Sequence, residues 1–278
     1  MHRQAHHRSG LDRINQAAYR RAGVLRQYET ASGWLEPGEQ AAVMLAAKDV
    51  RGAPVLDIGI GGGRTVPLMR AISDDFCGID YSPAMVAVAR RRFPDVDIRT
   101  MDARDLAFPN RRFALATFSY NGIDSVDMPG RLLILAEVRR VLRRRGRFVF
   151  SALHRGSMVN LPHWPDWEVF HDAGLQPGRL FRATARLLAG GINHLRGLAL
   201  VRDDGDVAVA SLSAHNFALL AIFMSLTTQI RELHEAGFAV EAIFAPDGQR
   251  IPPDDPADDG APWHHFVARK VEARRGYC

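Results

Sequence analysis

The sequence predicts an α/β protein built on a mostly parallel sheet. Three observations carry that prediction. Apolar strand-like runs alternate with helix-like runs from about residue 50 to residue 154. The first of these strands runs straight into glycines at 59, 61 and 63. The next two strands end, like the first, on or beside an acid: Asp57, Asp80 and Asp102. The chain has 278 residues and is 47% hydrophobic, ample for one large domain with an elaboration.

Residues 11 to 30 space Ile14, Ala17, Ala18, Val24, Leu25 and Tyr28 for one apolar helical side. "SGWLEPGEQ" is a turn and "EQAAVMLAAKDV" a second helix. "PVLDIGI" is the first strand. "RTVPLMRAI" is a helix that tolerates Pro67 only in its first turn. "DFCGID" is a strand, and "SPAMVAVARRRF" a helix with Ser82 as N-cap and Pro83 at its first position. "VDIRT" and "RFALATFSY" are strands, "RLLILAEVRRVL" a helix, and "RFVFSALH" the fifth strand. After His154 the rhythm breaks. Residues 155 to 224 hold "HWPDWEVF", a helical "RLFRATARLLAGG" and two apolar runs flanking "RDDGD" that read as a hairpin. Alternation resumes with the helix "TTQIRELHEAG" and the strand "FAVEAIFA". An acidic, proline-rich loop follows, and "WHHFVARKV" is the last strand. The expected division is a helical cap at 1–50, a core at 51–154, an insertion serving as substrate lid at 155–224, and the rest of the core at 225–278.

Composition narrows the function. The N-terminus lacks the apolar stretch of a signal peptide and no run approaches membrane-span length, so a cytoplasmic protein with no membrane partner is expected. Cys77 and Cys278 form no disulfide framework and no metal-ligand cluster, so no metal is expected; His2, His6 and His7 complete no site. The net charge is +5 and the pI about 9.7. Between Arg131 and Arg147 lie seven arginines and one acid, Glu137, which accounts for the whole excess. A run at a helix end reads as a solvated face that suits the helix dipole. It lies at the sheet edge opposite the strand C-termini, which argues against a nucleic-acid partner. The insertion's apolar runs are a candidate homodimer face.

The glycine loop fits neither common nucleotide fingerprint. A dinucleotide loop requires glycine at position 64, where this chain has Arg64, and there is no Gly-Lys-Ser/Thr. Asp57 at the mouth of the loop favours a cationic group over a phosphate. Asp80, about 20 residues beyond the glycines, is placed to accept both ribose hydroxyls. Asp102 can meet the exocyclic amine of an adenine. A ligand with an amine, a ribose and an adenine but no phosphate describes S-adenosylmethionine.

In order and spacing, "VLDIGIGGG", "GIDYSPAM", "MDARDLAF" and "RRVLRRRGRFVFSALH" resemble the motifs of class I S-adenosylmethionine-dependent methyltransferases over roughly residues 50 to 155. "FSYNGIDSV" and "LHEAGF" are similar to a bacterial small-molecule-type branch. The resemblance implies a doubly wound, seven-stranded, mostly parallel Rossmann-like sheet with an antiparallel last strand. It places Asp57, Gly59 and Gly61 at the methionine part of S-adenosylmethionine and Asp80 at the ribose. Tyr81 and Met85 would flank the adenine, and Asp102 with Ala103 would meet its edge. Ser119, Tyr120 and Asn121 would lie beneath the sulfonium. The usual Pro-Gly-Gly turn before the fifth strand is replaced by "RRRGR".

The implied activity is methyl transfer to a hydroxyl or amine of a small metabolite. RNA or protein methylation, and non-catalytic ligand binding, are the alternatives. Candidate bases are His154 first and then Asp124, with His171 and His215 in the insertion. For each histidine, packing or surface placement is the competing role, and for Asp124 it is capping the turn before the next helix. Tyr28 and Trp34 can offer aromatic faces to a sulfonium or pack the N-terminal helices. Trp164, Trp167 and Phe170 can line an acceptor pocket or anchor the insertion.

Overall fold

The computed structural model describes residues 9–21, 24–25, 28–29, 34–160, 177–213, 216–254, 256 and 259–272. The central sheet is made by β1 (Val55–Ile58), β2 (Phe76–Asp80), β3 (Asp97–Thr100), β4 (Phe113–Phe118), β5 (Leu142–Leu153), β9 (Phe238–Phe244), β10 (Arg250–Ile251) and β11 (Trp263–Lys270). Their order is β10-β9-β11-β5-β4-β1-β2-β3. Strands β3, β2, β1, β4 and β5 run parallel, and β11 lies antiparallel to both β5 and β9. The expected seven strands are present. The eighth, β10, is two residues folded back on β9 inside the stretch read as loop, too short to show any period.

Residues alternate between two apolar layers along each strand, as the two-residue period of a β-strand requires. Val55, Leu115, Val149 and Val267 face α2 (Pro37–Ala47), α3 (Val66–Ile72) and α4 (Pro83–Arg92). Leu56, Ile58, Phe148, Phe150 and Phe266 face α5 (Met128–Val141) and α7 (Leu226–Glu235). Ser82 accepts the Met85 amide at 3.4 Å and starts α4 where the sequence placed it.

The arginine-rich turn is an excursion within β5. Leu142 pairs with Phe113, residues 143–146 bulge out, and Arg147 resumes pairing at Leu115. Arg145 there has φ +58°. The reading of these arginines as one solvated face is corrected at its first member. Arg131 is fully buried between Asp124 and Glu232, because its long stem carries the charge inward from α5 to two acids. Others are paired at the surface: Arg140 with Glu137, Arg144 with Glu272, and Arg147 with Asp49 and Glu241.

The segment after β5 holds a 3-10 turn (Arg155–Asn160), α6 (Pro177–Gly197) and a second sheet of β6 (Arg202–Asp203), β7 (Val207–Leu212) and β8 (Leu219–Met224). The expected hairpin across "RDDGD" is reduced to two paired residues on the β6 side. The chief partner of β7 is β8, through six residue pairs. α6 runs on past Gly190 and Gly191, since glycine lowers helix propensity without terminating a packed helix.

The N-terminal helices part ways. α2 packs on the main sheet. α1 (Gly10–Tyr19) shares a small core with the insertion, in which Leu11 meets Val209, Leu220, Ile222 and Met224. Asn15 fixes that contact by donating to the Leu220 carbonyl at 2.8 Å and accepting the Leu220 amide at 2.9 Å. Among the described residues, no helix is long and apolar enough to cross a membrane.

Candidate active site

The C-terminal ends of β1, β2, β3 and β4 open into a cavity of about 730 Å3, roofed by α1 and by Tyr28 and Trp34. After Asp57 the chain turns through Gly59, which has φ +67°. A Cβ there would stand 2.6 Å from the Phe118 ring, so both backbone and space demand glycine. A Cβ on Gly62 would lie 2.0 Å from the Tyr28 carbonyl oxygen, which shows how closely that segment covers the loop.

Asp57 is buried, and each carboxylate oxygen accepts a hydroxyl: one from Thr117 at 2.7 Å, the other from Thr65 at 2.5 Å. Burial pushes its pKa up to about 6 against those hydrogen bonds. Asp80 accepts the Gly61 amide at 3.0 Å and the Ser82 amide at 2.8 Å, and burial pushes it to about 6 as well. Asp80 thereby fixes the glycine loop to the end of β2.

Asp102 lines the cavity with Met101 and Ala103, but it is already engaged. Arg104 grips it through Nη2 at 2.7 Å and Nε at 3.0 Å, and also pairs with Asp12 of α1. Arg64 stands where a dinucleotide loop would have glycine. It pairs with both oxygens of Glu39 at 2.7 and 2.8 Å and lies over the Trp34 ring at 4.7 Å. Tyr19 meets Tyr28 and Tyr81 edge-on, with ring centroids 6.3 and 6.1 Å apart.

The cavity brings together Tyr28, Asp57, Gly59, Gly61, Asp80, Tyr81, Met85, Asp102, Ala103 and Ser119. Three expected residues stand outside its lining. Asn121 turns away with φ +58°, its amide donating to Ser151 Oγ at 2.7 Å. Asp124 is a structural acid, buried against Arg131 and accepting the Leu153 amide at 2.7 Å; burial raises it to about 7, opposed by Arg131. His154 directly follows β5, bridged to Met224 of the second sheet, with its ring edge-on to that of His264. Both candidate bases thus stand outside the cavity lining, each at a seam between elements. Trp164, Trp167, Phe170, His171, His215, the tail histidines and Cys278 lie outside the described residues.

Residues 55–146 match the family model of the methyltransferase domain. That stretch thus carries a methyltransferase domain, in line with the resemblance to class I S-adenosylmethionine-dependent methyltransferases. The chain is 31% identical over 149 residues to a demethylmenaquinone methyltransferase of Renibacterium salmoninarum, covering 52% of this chain and 62% of that one. It is 31% identical over 118 residues to a ubiquinone biosynthesis O-methyltransferase of Xanthomonas oryzae pv. oryzae, covering 40% and 47%. The chain therefore spans less than two thirds of either relative. Its fold is similar to that of the Burkholderia thailandensis 1,6-didemethyltoxoflavin-N1-methyltransferase, solved with S-adenosylhomocysteine. That likeness has a TM-score of 0.55 at 17% identity and covers 94% of this chain and 88% of that one.

Sequence reasoning expected a helical cap with Tyr28 and Trp34 near the ligand, but missed the α1 residues that line the cavity and their ties. Asp12, Asn15, Gln16 and Tyr19 line it from α1. Their spacing of three and four was a readable signal, a polar stripe beside the apolar one on the same helix. Arg104 and Thr117 carried no such signal, because Asp12 and Asp57 lie far from them in sequence, and Thr65 meets Asp57 only once the glycine loop has folded.

Proposed function

We propose that the chain transfers a methyl group from S-adenosylmethionine to a hydroxyl or amine of a small-molecule acceptor. One observation carries this reading: three strand-end acids and a glycine loop converge on a single cavity of about 730 Å3. That size suits a small-ligand site, which typically holds about 300–1,000 Å3.

The residues fit the donor in kind. Asp80 spends one lone pair on each amide and keeps enough acceptor capacity for two ribose hydroxyls. Tyr81 and Met85 offer flanks for an adenine, with Asp102 and Ala103 at its edge. Asp57 acts at one remove: its oxygens hold Thr65 and Thr117, while its charge favours the amine end of the ligand. S-adenosylmethionine supplies an electrophilic methyl on a good leaving group, so alignment and water exclusion are the protein's chief tasks. α1, Tyr19, Tyr28 and Trp34 exclude water from above.

Among the described residues, no histidine lines the cavity. This favours acceptors that need little help losing a proton, such as a phenolic hydroxyl or an amine bound neutral. The relatives' names support a small-molecule acceptor, and they differ among themselves in which one. The insertion, tied to the roof through Asn15, serves as the lid that selects it.

Calorimetric titration with S-adenosylhomocysteine, beside NADH as control, tests the donor. Micromolar binding of the first alone supports the reading, and absence of binding removes it. Turnover is then read with phenol and amine panels by formation of S-adenosylhomocysteine.

A further inference from the structure

Away from the cavity, two buried imidazoles and a carboxylate converge from three places in the chain. His154 directly follows β5, His264 lies near the start of β11, and Asp259 belongs to the acidic loop that precedes β11. His264 Nε2 lies 3.0 and 3.2 Å from the two Asp259 oxygens. The His154 and His264 rings are 5.1 Å apart, and one donor atom from each of the three residues lies within 4.8 Å of the others. Both histidines are nearly inaccessible, whereas Asp259 opens to solvent. The second nitrogen of His264, Nδ1, is buried without a hydrogen-bond partner among the described residues.

We propose that His154, Asp259 and His264 form a divalent transition-metal site. Two imidazole nitrogens and one carboxylate oxygen suit Zn2+, Co2+ or Ni2+ far better than Mg2+ or Ca2+. Tetrahedral zinc bonds of about 2.0–2.2 Å put donors about 3.4 Å apart. The His264–Asp259 pair already stands at 3.0–3.2 Å, and the other separations, all within 4.8 Å, need contract by little more than an ångström at most. Asp259, on a loop, can supply that movement. Solvent completes the fourth position on the open side.

The site is a fastening and not a reaction centre, since none of the three residues lines the cavity. His154 accepts strand pairing from the insertion at Met224, and its amide donates to the Pro262 carbonyl at 3.0 Å. An ion here would clamp the acidic loop, the end of β5 and the root of the insertion together. The inference is independent of the donor assignment.

The test uses the full-length, untagged chain with His2→Ala, His6→Ala and His7→Ala, so that tail imidazoles do not contribute. Zn2+ titration into this metal-stripped background should show one saturable equivalent per chain and a higher Tm. Co2+ should give the visible absorption of a four- or five-coordinate ion. Asp259→Asn, at the exposed side, should weaken Zn2+ at least tenfold with an unchanged circular dichroism spectrum, and His264→Gln should abolish binding. No saturable Zn2+ binding in the background, or binding of equal strength in Asp259→Asn, overturns the proposal.

Discussion

Arg104 joins the end of β3 to the roof of the cavity: one guanidinium holds both Asp102 beside β3 and Asp12 on α1. The Asp12 pair is buried on both sides, so it is shielded from solvent and sensitive to loss of either member. Asp12→Asn leaves Arg104 with Asp102 alone. It should lower stability by about 1–3 kcal/mol in urea unfolding and speed amide exchange in α1. Unaltered exchange in α1 would show that this pair does not hold the roof.

Asp80→Asn removes the charge that binds the Gly61 and Ser82 amides and faces the cavity. Affinity for S-adenosylhomocysteine should fall about tenfold to a hundredfold, as for lost hydrogen bonds to a charged group. His154→Gln, outside the cavity lining, should leave that affinity alone. Equal effects of the two in calorimetry would refute the ribose role of Asp80.

The buried acids set a pH dependence. Asp57 and Asp80 both titrate near 6 in the folded protein, above the ordinary carboxylate value of about 3.9. Between those values the folded chain binds more protons than the unfolded one, so these two groups make stability fall as pH rises from about 4 to 6. A ligand that needs them ionised behaves in the opposite sense. S-adenosylhomocysteine should bind more weakly at pH 5 than at pH 7.5, with the change centred near 6. A flat affinity profile across that range would contradict the charged form as the binding form.

Gly59→Ala places a Cβ 2.6 Å from the Phe118 ring at a φ of +67°. Strain of about 1–2 kcal/mol from the left-handed backbone alone is expected, with loss of ligand binding because the loop must shift. Thermal unfolding with and without S-adenosylhomocysteine separates the two effects.

Asp124→Asn strips the buried Arg131 of one of its two acids. A loss of about 3–5 kcal/mol in chemical denaturation is expected for breaking such a pair. Ligand affinity in the fraction that folds should stay near that of the parent chain, as befits a residue outside the cavity lining.

The strand-end lining of the cavity was legible because its signals are local. A strand, an acid and a glycine loop follow one another within a few residues, and an acid again ends or follows a strand at Asp80 and Asp102. The strands of the core were legible because they are buried on both faces and read as continuous apolar runs. What failed was long-range. Nothing near His154 in sequence shows that it meets His264, more than a hundred residues on. Nothing near Asp124 reveals that Arg131 turns inward, since an arginine in an arginine run reads as surface. The pairing of β7 with β8 was hidden by the nearer "RDDGD" turn, which closes only two residues of sheet.

The reversed direction of β11 has a consequence for how such a protein can change over time. Because β11 runs against its neighbours, its beginning, not its end, lies at the edge where the parallel strands finish. Two stretches remote in sequence therefore share one rim: the loops after β1 to β4, and the segment leading into Trp263 with the insertion beside it. Length and composition can drift in the second stretch while the first is held constant.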